Sequence, residues 1–432
     1  MVEERLFFGV VSNIGRTELW VTEGTPESTH RLTVGPGLAS GSYTYPSWTE
    51  FEGRLYFSWR DPLHGNEIWS SDGTVAGTLR RIDLRPGPRG SDPSDLVSFG
   101  GQLWFSADDG THGRSIFTGD GTAEGTRRIA VPARRSAGGI RALSGRLVFW
   151  TGDEVRQALW SISPRTGKPE KLFGLADSFG QTFTYQVVVH RGELLFAGRP
   201  SGAPQGIWAT DGTVAGTRLV HAFGGYVRSL ALIPYGGAAL DDLFLFQLFR
   251  GDRREPAGSV RKIELWATDG TSAGTGRLAD LCRGECFENN GWILPGRPRA
   301  HVILDTFAGR EIWATDGTVG GTRQIARGLI APLGAVGPDF FFSRVSRETS
   351  TGPRLDVWAT DGTVEGTRAV TRPPISPLLD FVWPAGRAAG KLLFAGYDEL
   401  HGIELWVSDG TEEGTHLLVD LDPTENDGGT VP

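Results

Sequence analysis

The chain has 432 residues, a formal net charge of −8 and a pI near 5.6. That is long enough to bury a large core and too acidic to have nucleic acid as a main partner, since phosphate binding needs a positive field. No run of about 18 apolar residues is present, so no membrane insertion is expected, and the start "MVEERLFFGV" lacks the basic-then-apolar order of a signal peptide.

Read in chain order, one segment recurs nine times. Its aromatic positions are Trp20, Trp69, Phe117, Trp160, Trp208, Trp266, Trp313, Trp358 and Trp406, which lie 43 to 58 residues apart. Propeller blades repeat at roughly 40–50 residues. The second repeat shows the plan: "PSWTEF", a turn at Gly53, "RLYFSW", the loop "RDPLHG", "NEIWSS", the turn "DGTVAGT", then "LRRIDL". Short apolar or alternating runs bounded by Gly, Pro and Asp read as strands. The expected fold is all-β: one propeller domain over residues 1–432, built of four-stranded antiparallel blades. The count is nine, or eight if the worn fourth repeat is not a blade. A linear solenoid is the runner-up, although its rungs usually need only about 20–30 residues.

The first repeat opens at its second strand, "RLFFGV", and the chain ends where a further first strand would begin. The expectation is a ring whose closing strand is missing or is supplied by one terminus, in a chain excised from a larger polypeptide.

The segment "ELWATDGTSAGT" at 264–275 explains its own repetition. Trp266 and Leu265 point to opposite faces of one strand, so Trp266 is expected to fill the gap between adjacent blades. Asp269 can accept from the backbone two residues on, and Gly270 can take φ > 0. The hydroxyls of Thr271 and Thr275 tie the turn down. Matching turn aspartates are Asp72, Asp120, Asp211, Asp316, Asp361 and Asp409; Glu23 replaces Asp in the first repeat, and the fourth loses the motif. Each motif supplies one carboxylate, whereas calcium takes six to eight oxygens, so no metal or cofactor is expected.

"ELWATDGT" resembles the signature of the bacterial ELWxxDGT-repeat proteins, and the resemblance covers essentially the whole chain. It implies a bacterial source, tandem propeller-like repeats and a secreted or cell-surface setting. No biochemical activity comes with it.

Function is expected where the repeats differ. The distance from the strand-two Phe to the motif aromatic is 12 in five repeats, but 20 for Phe246 to Trp266, 16 for Phe342 to Trp358 and 9 for Leu304 to Trp313. Two long loops flanking a short one would make a notch, with the "CRGEC" link opening on the same face. The long loops carry Arg250, Arg253, Arg254, Arg261 and Lys262, and Arg344, Arg347 and Arg354. Arginine forks recognise carboxylates or phosphates, so a protein or an anionic glycan is the expected partner. Polar surface loops without a ligand are the plainer alternative.

Cys282 and Cys286 are either two free thiols or a small disulfide. His64, His112 and His401 each precede Gly at the same loop position and are expected to close hairpins, on blades too widely spaced to share a metal. No nucleophile elbow, zinc-binding helix or phosphate loop is present. Glu50, Asp95 and Asp380 on inner strands could line a central channel and hydrolyse a glycosidic bond. The leading expectation is a non-enzymatic binding scaffold; a channel-centred carbohydrate-active enzyme and a passive spacer are the alternatives.

Overall fold

In the computed structural model, the described residues are 5–11, 17–35, 47–131, 136–152, 157–163, 166–174, 187–198, 204, 206–224, 227–231, 238–251, 259–287, 291–294, 296, 298–306, 309–328, 330–349, 352–375, 384–398 and 401–421. They form nine antiparallel sheets, one per repeat, arranged as a β-propeller. Within each sheet the strands follow chain order. In the second blade they are Trp48–Phe51, Arg54–Asp61, Gly65–Ser71 and Leu79–Ile82. The worn fourth repeat keeps all four strands, Ala137–Ala142 to Pro169–Gly174, so it is a full blade. The first sheet shows three strands among the described residues, and the sixth carries an extra short strand, Ala238–Leu240.

A belt of aromatic pairs runs around the molecule. Phe8 pairs across the ladder with Trp20, Phe57 with Trp69, Phe105 with Phe117, and Phe149 with Trp160. Phe196 pairs with Trp208, Phe246 with Trp266, Phe342 with Trp358, and Phe394 with Trp406. Cross-strand partners share a face, and each pair packs onto the preceding blade. Phe246 and Trp266, for example, join Ile207, Ala209 and Phe223 of blade five. The residue before the motif aromatic faces the other way: Leu265 packs toward blade seven with Val302 and Leu304. This alternation makes nine apolar clusters, each shared by two neighbouring blades. The ninth joins Phe8 and Trp20 of blade one to Leu393, Leu405 and Val407 of blade nine, so the ring is closed by side-chain packing. A linear solenoid would leave those faces bare.

The first strands of blades two, three and four adjoin one another, which places them innermost, around the channel. Polar ties step from blade to blade there. The Leu96 amide donates to Ser47 Oγ (2.7 Å), and the Gly139 amide donates to Asp95 Oδ2 (2.8 Å).

The repeated turn is a fastener in full detail. In blade six the Thr271 amide and hydroxyl both donate to Asp269 Oδ1 (2.8 and 2.7 Å). The Gly274 amide donates to Thr271 Oγ1, and the Gly270 amide to Thr268 Oγ1 (3.0 Å each). Thr268 and Thr275 hydroxyls then bond each other at 2.6 Å. Gly270 needs its φ of +88°, a region that side-chain-bearing residues avoid. The Thr hydroxyl and amide hold the carboxyls of Asp72, Asp120, Asp269, Asp316, Asp361 and Asp409 below the ordinary range, with burial opposing this only in part.

A depressed carboxyl pKa stabilises the fold above its unfolded value, and that stability is lost as pH falls through the folded value. With six such turns acting together, the melting temperature should be flat from pH 7 to about 5 and fall steeply below about pH 4. Calorimetry across this range checks it; a decline centred near pH 6 would point to histidine instead.

Candidate functional site

The hairpins joining strands two and three share one face with the links between blades, and the Asp-Gly-Thr turns lie on the other. The structure corrects three expectations about the loop face. Blade seven is not short: the residue paired with Trp313 is Val302, not Leu304, which gives a spacing of 11. The notch is therefore framed by two long hairpins around a blade of nearly ordinary length. The long segments are also mostly ladder. In blade six the strands run Leu243–Arg250 and Ser259–Thr268, and in blade eight Asp339–Thr349 and Gly352–Thr360. Finally, "CRGEC" is not a link but the end of blade six's outer strand, Gly276–Phe287. Cys282 and Cys286 are joined there as a disulfide with Cα atoms 6.2 Å apart, and Cys286 is buried in the cluster shared with blade seven.

The basic residues do not form one cluster. Arg250 and Lys262 face each other across the ladder, and both are bound to carboxylates. Arg250 Nε donates to Glu264 Oε2 (2.9 Å) and its Nη1 to the Gly224 carbonyl (2.9 Å). Lys262 Nζ reaches Glu264 Oε1 (2.7 Å) and Asp280 Oδ1 (2.9 Å). Arg261 is exposed on the same strand. Arg344 lies over the Trp358 ring at 5.3 Å, a cation–π contact. Arg347 and Arg354 are paired backbone to backbone in the blade-eight hairpin, and Arg253 and Arg254 lie outside the described residues.

Sequence reading missed the centre of this network. Glu264 is only 3% exposed. Burial opposes its ionisation, yet donation from Lys262, Trp266 and Arg250 outweighs that and holds its carboxyl below the usual range. Asp280 is depressed in the same way, with burial overcome by Lys262 and Arg283. Arg277 Nη1 reaches Asp280 Oδ1 at 2.8 Å, and Arg283 bonds Asp280 Oδ2. Residues three apart on a regular strand point to opposite faces, so "RLADLCR" gives no hint that Arg277 and Arg283 share Asp280. The ladder has register shifts at Val260/Lys262, Ile263/Glu264 and Leu265/Trp266, and these re-aim the side chains.

Elsewhere the expected groups are placed as follows. Glu50 is exposed on the innermost strand of blade two, two residues from Trp48, which is 56% exposed. Asp95 is taken up by the Gly139 amide and Ser106 Oγ (3.0 Å), and Asp380 lies outside the described residues. His64 and His112 each bond the aspartate three residues earlier, Asp61 and Asp109, closing their own hairpins. His64 and His112 sit on adjacent blades, two and three, and His401 of blade nine lies two blades round the ring from His64, with blade one between. Among the described residues no group of three or more His, Cys, Asp or Glu is placed to hold a metal ion, and no helix is long and apolar enough to cross a membrane.

No family model matches the chain, and no curated protein does. Solved structures do match at low identity. A puromycin hydrolase aligns at 15% identity and a TM-score of 0.45, covering 90% of this chain and 59% of that one. The dihydro-heme d1 dehydrogenase NirN, in complex with DHE, gives 15% and 0.46, over 84% of this chain and 72% of that one. The β-propeller domain of the Trilobed protease from Pyrococcus furiosus gives 12% and 0.36, over 76% and 98%. This chain thus spans about three-fifths of the puromycin hydrolase it matches.

Proposed function

We propose that this chain is a non-enzymatic propeller scaffold that binds an anionic partner, a protein or a glycan, on the face of the strand-two-to-three hairpins. The observation that carries the reading is the pair of extended, arginine-bearing hairpins of blades six and eight on an otherwise regular ring. Arginine forks suit carboxylate and sulfate groups, and rigid ladders present them with little ordering cost. The disulfide supports an extracellular or cell-surface setting, with the propeller acting as one part of a larger bacterial polypeptide.

The test is retention on immobilised heparin and on immobilised poly-glutamate, with a salt gradient. The expected result is retention on one of them, lost by about 0.3–0.5 M salt as screening shortens to a few ångströms. Retention should weaken when residues 252–258 are replaced by a two-residue turn. No retention on either matrix would leave a passive spacer as the better reading. A second reading, a carbohydrate-active enzyme at the channel, has one observation in its favour: Glu50 exposed beside Trp48 on an innermost strand. Glycan cleavage abolished by Glu50→Gln would establish it.

A further inference from the structure

The anionic-partner reading leaves open which cations meet the partner, and the residues singled out by loop length are poor candidates. Arg250 and Lys262 spend their donors on Glu264, Asp280 and the Gly224 carbonyl, and their side chains are about three-quarters covered. The outer strand of blade six is different. Arg277 and Arg283 are 47% and 77% exposed, and each is held by Asp280 from below. Among the described side chains, four cations (Arg250, Lys262, Arg277, Arg283) share two carboxylates (Glu264, Asp280), which leaves two positive charges uncompensated.

The frame behind them is rigid. Glu264 is buried and fully engaged, its Oε2 also accepting from the Trp266 indole at 3.0 Å. The Cys282–Cys286 disulfide closes the strand end next to Arg283. Two fixed forks on a protein of net charge −8 make a local positive spot with a preset spacing.

We infer that Arg277 and Arg283 form a pre-organised subsite for a linear anionic glycan, one carrying sulfate or carboxylate groups, with Glu264, Asp280 and Lys262 as positioning residues. The inference rests on the anionic-partner reading and narrows it. A glycan fits better than a peptide because of the strand's shape. A peptide would gain most by adding as a further strand beside the outer one, main chain to main chain. At each of the three register shifts in its ladder with Ser259–Thr268 the outer strand carries an extra residue, and bulges of this kind make a strand a poor template for regular pairing. What the strand offers is charge at the side-chain tips, and a polyanionic glycan is recognised by that alone.

The experiment measures heparin affinity of the intact chain by surface binding at low salt for three proteins. They are the wild type, R277E/R283E, and R127E/R128E, whose altered residues are two exposed arginines on the outer strand of blade three. Both variants change net charge equally. The expected result is a loss of at least tenfold for R277E/R283E at unchanged melting temperature, with less than threefold for R127E/R128E. Should the charge reversal impair folding, R277Q/R283Q replaces it, with an expected loss of about fivefold.

Equal losses in the two variants would show an effect of overall charge and overturn the subsite. Heparin binding that survives R277E/R283E but is lost in R253E/R254E would also overturn it while leaving the broader reading intact. Binding of poly-glutamate without heparin would replace the glycan by an acidic peptide. Binding of neither by the wild type would remove both readings together.

Discussion

Replacing Gly274 with alanine is expected to destabilise the protein by about 1–3 kcal/mol, the usual range for forcing an extra carbon into a packed site. The harm should largely vanish when Asp269 is also alanine. A Cβ built on Gly274 would fall 2.2 Å from the Asp269 carboxyl carbon, so the two side chains cannot coexist in this turn. Gly274, unlike Gly270, does not need a left-handed backbone, and the cost is therefore steric. Moving Asp269 aside would cost the turn both of its bonds from Thr271.

The same approach, within 2.0–2.2 Å of the carboxyl group, recurs at Gly77, Gly125, Gly216, Gly321, Gly366 and Gly414. The chain carries its own control. In the first repeat Glu23 stands in place of Asp, and Ser28 stands where the second Gly would be; Ser28 Oγ there accepts from the Glu23 and Thr25 amides. The short acid and the glycine are replaced together, Asp by Glu23 and Gly by Ser28. Chemical denaturation of the two single variants and the double variant gives the coupling energy, expected above about 1 kcal/mol for groups in direct contact. Strictly additive losses would sink this account of the motif.

The sequence carried this turn well because every part of it is local. Asp269, Gly270, Thr271 and Thr275 bond within seven residues of one another, and such chemistry can be read from spacing alone. The blade plan was legible for a related reason. Strand alternation assigns Leu265 and Trp266 to opposite faces, and repetition turns that local fact into a ring. Two things were not legible. The blade-seven register failed because Val302 stands where the other blades have Phe, so the nearest large residue, Leu304, was an inviting substitute two rungs away. The charged network failed because it depends on irregular register: only the shifts between Ser259–Thr268 and Gly276–Phe287 bring Lys262, Glu264, Arg277 and Asp280 together. Reading basic residues off the loops found Arg250 and Lys262, which are bound, and passed over Arg277 and Arg283, which are exposed.

Ring closure leads to the second large expected effect. Phe8→Ala should destabilise by about 3–5 kcal/mol, the cost of deleting a buried Phe side chain, and Phe342→Ala should cost a similar amount. The comparison matters because the two residues occupy equivalent positions with unequal guarantees. Phe342 sits between blades seven and eight, which the chain joins directly, and packs on Ile303 and Ile312. Phe8 sits between blades one and nine, at opposite ends of the sequence, and packs on Leu393, Leu405 and Val407. No common strand is seen to bridge blades one and nine among the described residues; side chains hold that seam. With the seam closed, Phe8 is buried, at 8% exposure against 0% for Phe342, and its loss leaves a cavity between two blades as the loss of Phe342 does. An open array would leave Phe8 on an end face, and truncation there would cost under about 0.5 kcal/mol, as for an ordinary surface change. Urea midpoints of the two variants decide between these outcomes. A full effect at Phe342 with almost none at Phe8 would mean the nine blades are strung in a row, and the channel, with Trp48 and Glu50 on its wall, would not exist as an enclosed space.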